Sequence, residues 1–181
     1  MSLGKDFLDT AIRRLKYYKD LGDKTFEQLT DADLHYQPNA ESNSIAIIIQ
    51  HMAGNMLNRW TNFLKEDGEK AWRKRDDEFD IHSYSKEQLL ELWEKGWACF
   101  FGALGSLGKK DLEKIVHIRE EPLTVIDAIN RQLAHYPYHI GQVIYIGKII
   151  KDKGWKNLSI PRGDSAQYNS SQSIKDPAKK F

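Results

Sequence analysis

Residues 125–150 read VIDAINRQLAHYPYHIGQVIYIGKII, and this stretch carries the clearest indication of the fold. Its apolar and small residues recur at alternating spacings of three and four, which places them on one face of an α-helix. They are Ile126, Ile129, Leu133, Tyr136, Ile140, Val143, Gly147 and Ile150. Such a continuous apolar face is typical of a helix in a bundle. Because Pro122 is a favoured first-turn residue and Gly154 is a stop signal, we expect this last helix to run from Pro122 to about Lys153.

Three earlier segments show helical periodicity and complete a predicted all-α, four-helix bundle. Asn43 or Ser44 can accept the free amide hydrogens at the start of the second helix. Ser85 and Gln88 have the spacing of a capping box at the start of the third. The three predicted helices cover approximately residues 4–24, 45–65 and 85–107.

The connections between the predicted helices are rich in Gly, Asp, Asn and Pro, and two of them are expected to be ordered. Residues 66–83 are charged apart from three apolar side chains that we expect to anchor this loop: Trp72, Phe79 and Ile81. Residues 114–121 alternate weakly and predict a short β-strand or hairpin arm before the last helix. We assign residues 1–169 to a single domain, whereas the polar residues 170–181 predict a mobile tail.

The composition limits the class of protein. The chain has 181 residues, 27 Lys and Arg against 26 Asp and Glu, and a net charge of +1. This balance would attract neither nucleic acid nor an anionic membrane, so neither is expected as a partner. No apolar stretch approaches the roughly 18 residues of a membrane span, and no export signal is recognisable. Since Cys99 is the only cysteine, we expect a cytoplasmic protein without disulfides.

Histidines interrupt two of the predicted apolar stripes. His135 and His139 lie four residues apart on the last helix, so both imidazoles can reach one ion. His51 lies on an inward stripe of the second helix, and together the three predict a divalent-metal site. The alternative is that they are ordinary hydrogen-bonded histidines of the core or surface. The other histidines fall in predicted loops or in the strand and are not expected to be ligands: His35, His82 and His117.

Five further polar residues are candidates for contacts with these histidines or with a substrate. They are Asn55, Arg59, Gln142, Arg75 and Arg162. The first three follow histidines by one or two helical turns, which favours hydrogen bonds to them or to a ligand. The last two lie in loops, where a guanidinium can clamp a carboxylate or phosphate. The alternatives are interhelical hydrogen bonds, pairing with nearby acids, and exposure to solvent.

The motifs QHMAGN at residues 50–55 and HYPYHIGQ at residues 135–142 resemble the DinB-like (DinB/YfiT) superfamily, which includes thiol-dependent transferases and isomerases. The similarity covers about residues 7–153. DGEKAWRKRDDEF at residues 67–79 and LSIPRGDSAQYN at residues 158–169 further resemble a bacterial subgroup of unassigned function. The resemblance implies an up-down-down-up bundle in which three histidines hold nickel or zinc. The matching residues are His51, His135 and His139.

Pro137 lies between two of these histidines and is not part of the superfamily's pattern. A proline within a helix removes a backbone hydrogen bond, so we expect a kink there. The kink either widens the bundle for a ligand or bends the helix around the core.

Three neutral imidazoles leave an ion with an open position, as in catalytic zinc sites. A water or thiol bound there is easier to deprotonate. Because members of the superfamily use low-molecular-weight thiols, the resemblance implies transfer of such a co-substrate to a small-molecule electrophile. Two alternatives stay open: metal-assisted hydrolysis, for which no base is evident, and a non-catalytic metal-binding or stress-related bundle. A homodimer is expected only from the general frequency of homo-oligomers.

Overall fold

The computed structural model describes residues 2–181 and is mainly helical. In chain order the elements are α1 (Leu3–Phe26), α2 (Asp31–Leu34), α3 (Ile45–Trp60), α4 (Lys86–Gly105), β1 (Ile115–Ile118), β2 (Glu121–Thr124), α5 (Val125–Lys151) and α6 (Ser165–Ser170). Single 3-10 turns lie at Asp76–Phe79, Asp152–Gly154 and Pro177–Lys180. The predicted all-α bundle with a short β segment before the last long helix is confirmed.

The four long helices α1, α3, α4 and α5 run up, down, down and up. Helices α1 and α5 are parallel, because Gly22 contacts Ile140 and Thr25 contacts Gly147. Helices α1 and α4 are antiparallel, because Lys19 pairs with Glu94 and Phe26 contacts Lys86. Helices α3 and α4 are parallel, because Ala53 contacts Gly96 and Trp60 contacts Phe100. Because α3 and α4 are parallel neighbours, the chain between them must return along the bundle. We call this part, residues 61–85, the crossover segment.

Side-chain caps define the starts of two long helices as the sequence predicts. The hydroxyl of Ser44 accepts a hydrogen bond from a backbone N–H in the first turn of α3. Ser85 and Gln88 form the predicted capping box of α4. The end of α3 comes earlier than expected, because Thr61 is extended and Asn62 adopts a left-handed conformation with φ 51°.

The hairpin of β1 and β2 shows that the predicted start of the last helix at Pro122 is wrong. The two strands pair antiparallel through a two-residue turn, and Pro122 lies in β2 opposite His117. Its missing N–H is tolerated there because both strands of a two-stranded sheet are edge strands. The helix α5 begins at Val125 instead, where the hydroxyl of Thr124 caps it.

Only one of the three apolar side chains expected to anchor the crossover segment packs as predicted. The ring of Phe79 lies 5.0 Å from that of His51, centroid to centroid. Trp72 is 58% exposed and Ile81 is 78% exposed, so neither anchors the chain. Polar contacts hold the segment instead, because the carbonyl of Gly68 accepts hydrogen bonds from two buried side chains of α3.

Asp67 joins the crossover segment to the hairpin turn. Its carboxylate accepts hydrogen bonds from the backbone N–H groups of Glu69 at 2.7 Å, Arg119 at 2.9 Å and Glu120 at 2.8 Å. Arg119 and Glu120 have φ 57° and 66°, as a type I′ turn requires. Although desolvation opposes it, these backbone donors lower the pKa of Asp67.

Replacing Asp67 by alanine is expected to lower the free energy of unfolding by about 1–2 kcal/mol, because hydrogen bonds to a charged acceptor are lost. Urea unfolding followed by circular dichroism measures the change. Asp77→Ala is the matched control, since Asp77 is an exposed acid of the same segment and surface substitutions stay within about 0.5 kcal/mol. Equal effects of the two substitutions would show that Asp67 does not anchor the segment.

The residues of the predicted mobile tail lie against α1. Asp176 accepts two hydrogen bonds from the guanidinium of Arg14, at 2.7 and 2.8 Å, and Ala178 is buried. The polar composition of residues 170–181 does not reveal this contact. Mobility of the tail stays a prediction.

The core between the four long helices is rich in aromatic side chains. Trp93, Trp97, Phe100 and Tyr136 are fully buried and pack edge to face around Trp97. This geometry adds a favourable ring–ring interaction to the burial of apolar area.

Within residues 2–181, every helix falls short of the length and apolar character that crossing a membrane requires.

Candidate metal centre

Three histidines from two helices converge inside the bundle. His51 lies in α3, and His135 and His139 lie one turn apart in α5. One nitrogen of each lies within 4.8 Å of the others, and the Nε2 atoms of His135 and His139 are 3.0 Å apart. His51 and His139 are buried, whereas His135 is partly exposed. The structure therefore brings together the three histidines that the sequence pattern singles out.

Each imidazole is oriented by an oxygen atom next to its Nδ1 atom. These oxygens are Oε2 of Glu78 at 3.1 Å from His51, Oε1 of Gln132 at 3.4 Å from His135 and Oε1 of Gln142 at 2.8 Å from His139. This pattern assigns the proton of each neutral ring to Nδ1. The lone pair on each Nε2 atom is then free to bind a metal ion.

The spacing of the nitrogens suits a small divalent cation. Zinc binds histidine nitrogen at about 2.0–2.1 Å, so two tetrahedral ligands stand about 3.3 Å apart. The 3.0 Å between the Nε2 atoms of His135 and His139 is close to this separation. Three nitrogen donors leave a fourth position for water or substrate. Such a set also suits nickel, copper or iron.

Burial favours the neutral imidazoles that a metal ion requires. Desolvation, together with the charges of His139 and His51, lowers the pKa of His135 to about 4. Desolvation also lowers the pKa of His139, although the hydrogen bond to Gln142 opposes this shift. At neutral pH these two side chains can therefore bind a metal ion without first losing a proton.

Glu78 is a carboxylate at this centre that the sequence pattern does not reveal. It belongs to the 3-10 turn Asp76–Phe79 of the crossover segment, and its oxygens accept hydrogen bonds from Arg73 and His51. Although desolvation opposes it, the bonds from His51 and Arg73 lower the pKa of Glu78. The one signal in the sequence is the density of acids and arginines at residues 73–78, which has no helical periodicity.

Two other candidate residues, Asn55 and Arg59, form interhelical or loop contacts. Oδ1 of the buried Asn55 accepts a hydrogen bond from the hydroxyl of Tyr136 at 3.2 Å. The buried Arg59 donates to the carbonyl of Gly68 at 2.5 Å and pairs with Glu69 at 3.2 Å. For Asn55 this contact is an interhelical hydrogen bond, one of the alternatives given above, whereas Arg59 is buried and not exposed to solvent as its alternative expects. Gln142 is the candidate that contacts a histidine directly.

The two loop arginines occupy different surroundings. The guanidinium of Arg75 lies 4.9 Å from the ring centroid of Phe79, which itself packs on His51. Arg75 is thus separated from His51 by one aromatic ring. Arg162 is exposed in the turn before α6, and within residues 2–181 its side chain forms no hydrogen bond or ion pair.

The helix α5 continues through Pro137 from Val125 to Lys151.

The fold and the site define a four-helix-bundle protein with a histidine cluster able to hold a metal ion. The chain belongs to the DUF1572 family, described as a protein of unknown function, and the match spans residues 2–164. Comparison with curated proteins gives no match. Among solved structures, a conserved protein from Enterococcus faecalis is similar with a TM-score of 0.59 and 16% identity, covering 83% of this chain and 98% of that one. At this identity the likeness shows the fold alone.

Proposed function

We propose that this protein is a metal-dependent enzyme that activates a small-molecule thiol, with a divalent ion held by His51, His135 and His139. One observation carries the proposal: three imidazoles converge while an oxygen atom contacts each Nδ1 atom. The DinB-like resemblance supports it, because histidines at these positions hold nickel or zinc in that superfamily. A divalent ion with three neutral ligands lowers the pKa of a thiol or water in the open position.

The surroundings of Glu78 favour thiol transfer over hydrolysis. At neutral pH a metal-bound water is only partly deprotonated, so hydrolysis gains from a general base that is free to accept its proton. Both oxygens of Glu78 are engaged by Arg73, and one of them also by His51. A thiol bound to a metal ion loses its proton without such a base. Because the cluster of possible metal ligands contains no cysteine and Cys99 contacts Thr61 instead, the thiol would come from a separate small molecule.

A cavity of about 300 Å³ offers room for a small substrate, and although no histidine lines it, two of its lining residues lie next to the histidine cluster. Gln142, which contacts His139, forms part of the lining, and so does Ile48 of α3, which lies one turn before His51. All the lining side chains are uncharged. The volume lies at the lower end of the range for small-molecule pockets, which supports a substrate of modest size.

Metal analysis combined with a thiol-transfer assay tests this function. Protein purified without a metal-affinity tag is expected to contain one equivalent of zinc or nickel. The assay uses 2-mercaptoethanol with 1-chloro-2,4-dinitrobenzene, an epoxide and an unsaturated ketone. With the aryl chloride, a sulfur–carbon bond forms, chloride leaves and the thiol proton passes to solvent. We expect faster thioether formation with the metal-loaded protein than with the protein treated with chelator.

Three other outcomes distinguish the alternatives. Thiol-independent hydrolysis of 4-nitrophenyl acetate, lost on chelation, would support the hydrolase. One equivalent of metal without turnover of any electrophile would support a non-catalytic metal-binding bundle. A protein that contains no metal and binds none on titration would contradict the proposal as a whole.

A further inference from the structure

The carboxylate of Glu78 is fixed between a buried arginine and a candidate metal ligand. Arg73 donates from Nε to Oε1 at 2.7 Å and from Nη2 to Oε2 at 2.8 Å, and Oε2 also contacts Nδ1 of His51 at 3.1 Å. The side chain of Arg73 is 2% exposed and that of Glu78 is 11% exposed. Two parallel bonds from a guanidinium fix the plane of a carboxylate, so Glu78 presents one oxygen to His51 in a defined direction.

Gly54 provides the space that this carboxylate occupies. It lies one turn after His51 in α3, and a β-carbon built on it would stand 2.7 Å from Cδ of Glu78 and closer still to Oε1. No side chain fits at such a distance unless Glu78 moves. Glycine is a poor helix former compared with alanine, so its presence inside α3 has no local advantage. The close approach of Glu78 accounts for it.

We infer that Glu78 is the positioning residue of the metal centre, acting through His51, and that Gly54 and Arg73 hold it in place. This inference rests on the proposed metal site. A carboxylate that accepts the Nδ1–H of a ligating histidine fixes the tautomer and the orientation of the ring, and it makes Nε2 a stronger donor. His135 and His139 have the weaker amide oxygens of Gln132 and Gln142 in the corresponding place. Of the three oxygen contacts, the one from Glu78 therefore contributes most to the metal affinity of the centre.

The test compares three substitutions with one control. Glu78→Ala removes the carboxylate, Glu78→Gln keeps an acceptor oxygen without the charge, and Gly54→Ala displaces the carboxylate without altering it. Gly141→Ala is the matched control, because Gly141 is also a helical glycine near a candidate ligand, His139, but a β-carbon there meets nothing within 4 Å. Near-ultraviolet circular dichroism of each metal-free protein establishes that it is folded.

Cobalt titration and nitrogen NMR provide the two measurements. Loss of the carboxylate contact is expected to weaken cobalt binding about 10- to 100-fold in Glu78→Ala and Gly54→Ala, with a smaller loss in Glu78→Gln and none in Gly141→Ala. The visible spectrum of bound cobalt is expected to change in the first two variants. In the metal-free protein, the ¹⁵N shifts of His51 are expected to show one tautomer in the wild type and a mixture in Glu78→Ala.

A double substitution separates a specific role from general damage. Gly54→Ala is expected to have no further effect on cobalt affinity once Glu78 is alanine, because nothing is left to displace. Wild-type affinity and an unchanged His51 tautomer in Glu78→Ala and Gly54→Ala would overturn the inference and leave the metal site intact. A wild-type protein that binds no cobalt would overturn both. If Glu78→Ala does not fold, Gly54→Ala and Glu78→Gln decide the question.

Discussion

Replacing His139 by alanine is expected to abolish stoichiometric metal binding. His139 is central to the group, because its Nε2 atom lies 3.0 Å from that of His135 and its ring centroid lies 5.0 Å from that of His51. Loss of a ligand removes a metal–nitrogen bond, whereas loss of a hydrogen bond to a ligand lowers metal affinity by about 10- to 100-fold. We therefore expect the metal affinity of this variant to fall by more than that. Elemental analysis after dialysis and a cobalt titration both measure this loss. His51→Ala is expected to give the same result from the other helix.

His117→Ala is the control for these variants. His117 is an exposed histidine of β1, so its removal alters the histidine content of the protein without affecting the cluster. Thermal unfolding of the metal-free proteins shows whether each variant keeps the fold. Unchanged metal content in folded His139→Ala and His51→Ala would mean that the ion binds elsewhere, and the metal centre would then be wrongly assigned.

Replacing Trp97 by alanine is expected to lower the free energy of unfolding by about 3–5 kcal/mol, as is usual for a large aromatic side chain removed from a core. Trp97 is 0% exposed and packs against the rings of Trp93, Phe100, Phe101 and Tyr136. Since single domains are stable by about 5–15 kcal/mol, this loss is a large fraction of the total. Guanidinium unfolding followed by circular dichroism measures it.

Trp72→Ala makes the same chemical change at an exposed position. Its effect is expected to stay within about 0.5 kcal/mol, because the side chain of Trp72 is 58% exposed and lies on the crossover segment. A comparable loss in both variants would show that Trp72 packs against the bundle in solution. A negligible loss in Trp97→Ala would contradict the arrangement of the aromatic core.

The fold and the histidine cluster follow from local, periodic features of the sequence. The spacing of three and four along residues 125–150 predicts α5, and the Ser85–Gln88 capping box marks the start of α4. The spacing of His135 and His139 places both on one helical face, which depends only on the 3.6-residue turn. His51 is found the same way, because it interrupts an apolar stripe of α3.

The contacts of the crossover segment could not be predicted in this way. Glu78 reaches His51 from a 3-10 turn, and Asp67 reaches a hairpin turn about fifty residues away, at Arg119 and Glu120. Such contacts depend on where the chain is led by the packing of other elements, and a non-helical segment has no period that reports it. Trp72 misleads for the same reason, since an aromatic residue in a loop does not by itself indicate burial.

Pro122 shows how two valid local rules can conflict. Proline is favoured in the first turn of a helix, and it is also tolerated in an edge strand. The pairing of β2 with β1 decides between them, and this pairing is a contact between segments rather than a property of Pro122. The weak alternation of residues 114–121 indicates the first strand only, so its partner had no separate signal.

Because α3 and α4 are parallel, the crossover segment has to return along the full length of α3 before α4 begins. A helix of 16 residues is about 24 Å long, a distance that about seven extended residues can span, so residues 61–85 contain more chain than the return requires. The additional residues of the crossover segment fold over α3 and bring Glu78 to His51. Within residues 2–181, Phe63 is the single buried side chain that this segment contributes to the apolar core. Under the proposed function, substitutions near Glu78 in this stretch would alter the surroundings of His51 without changing any residue of the four long helices.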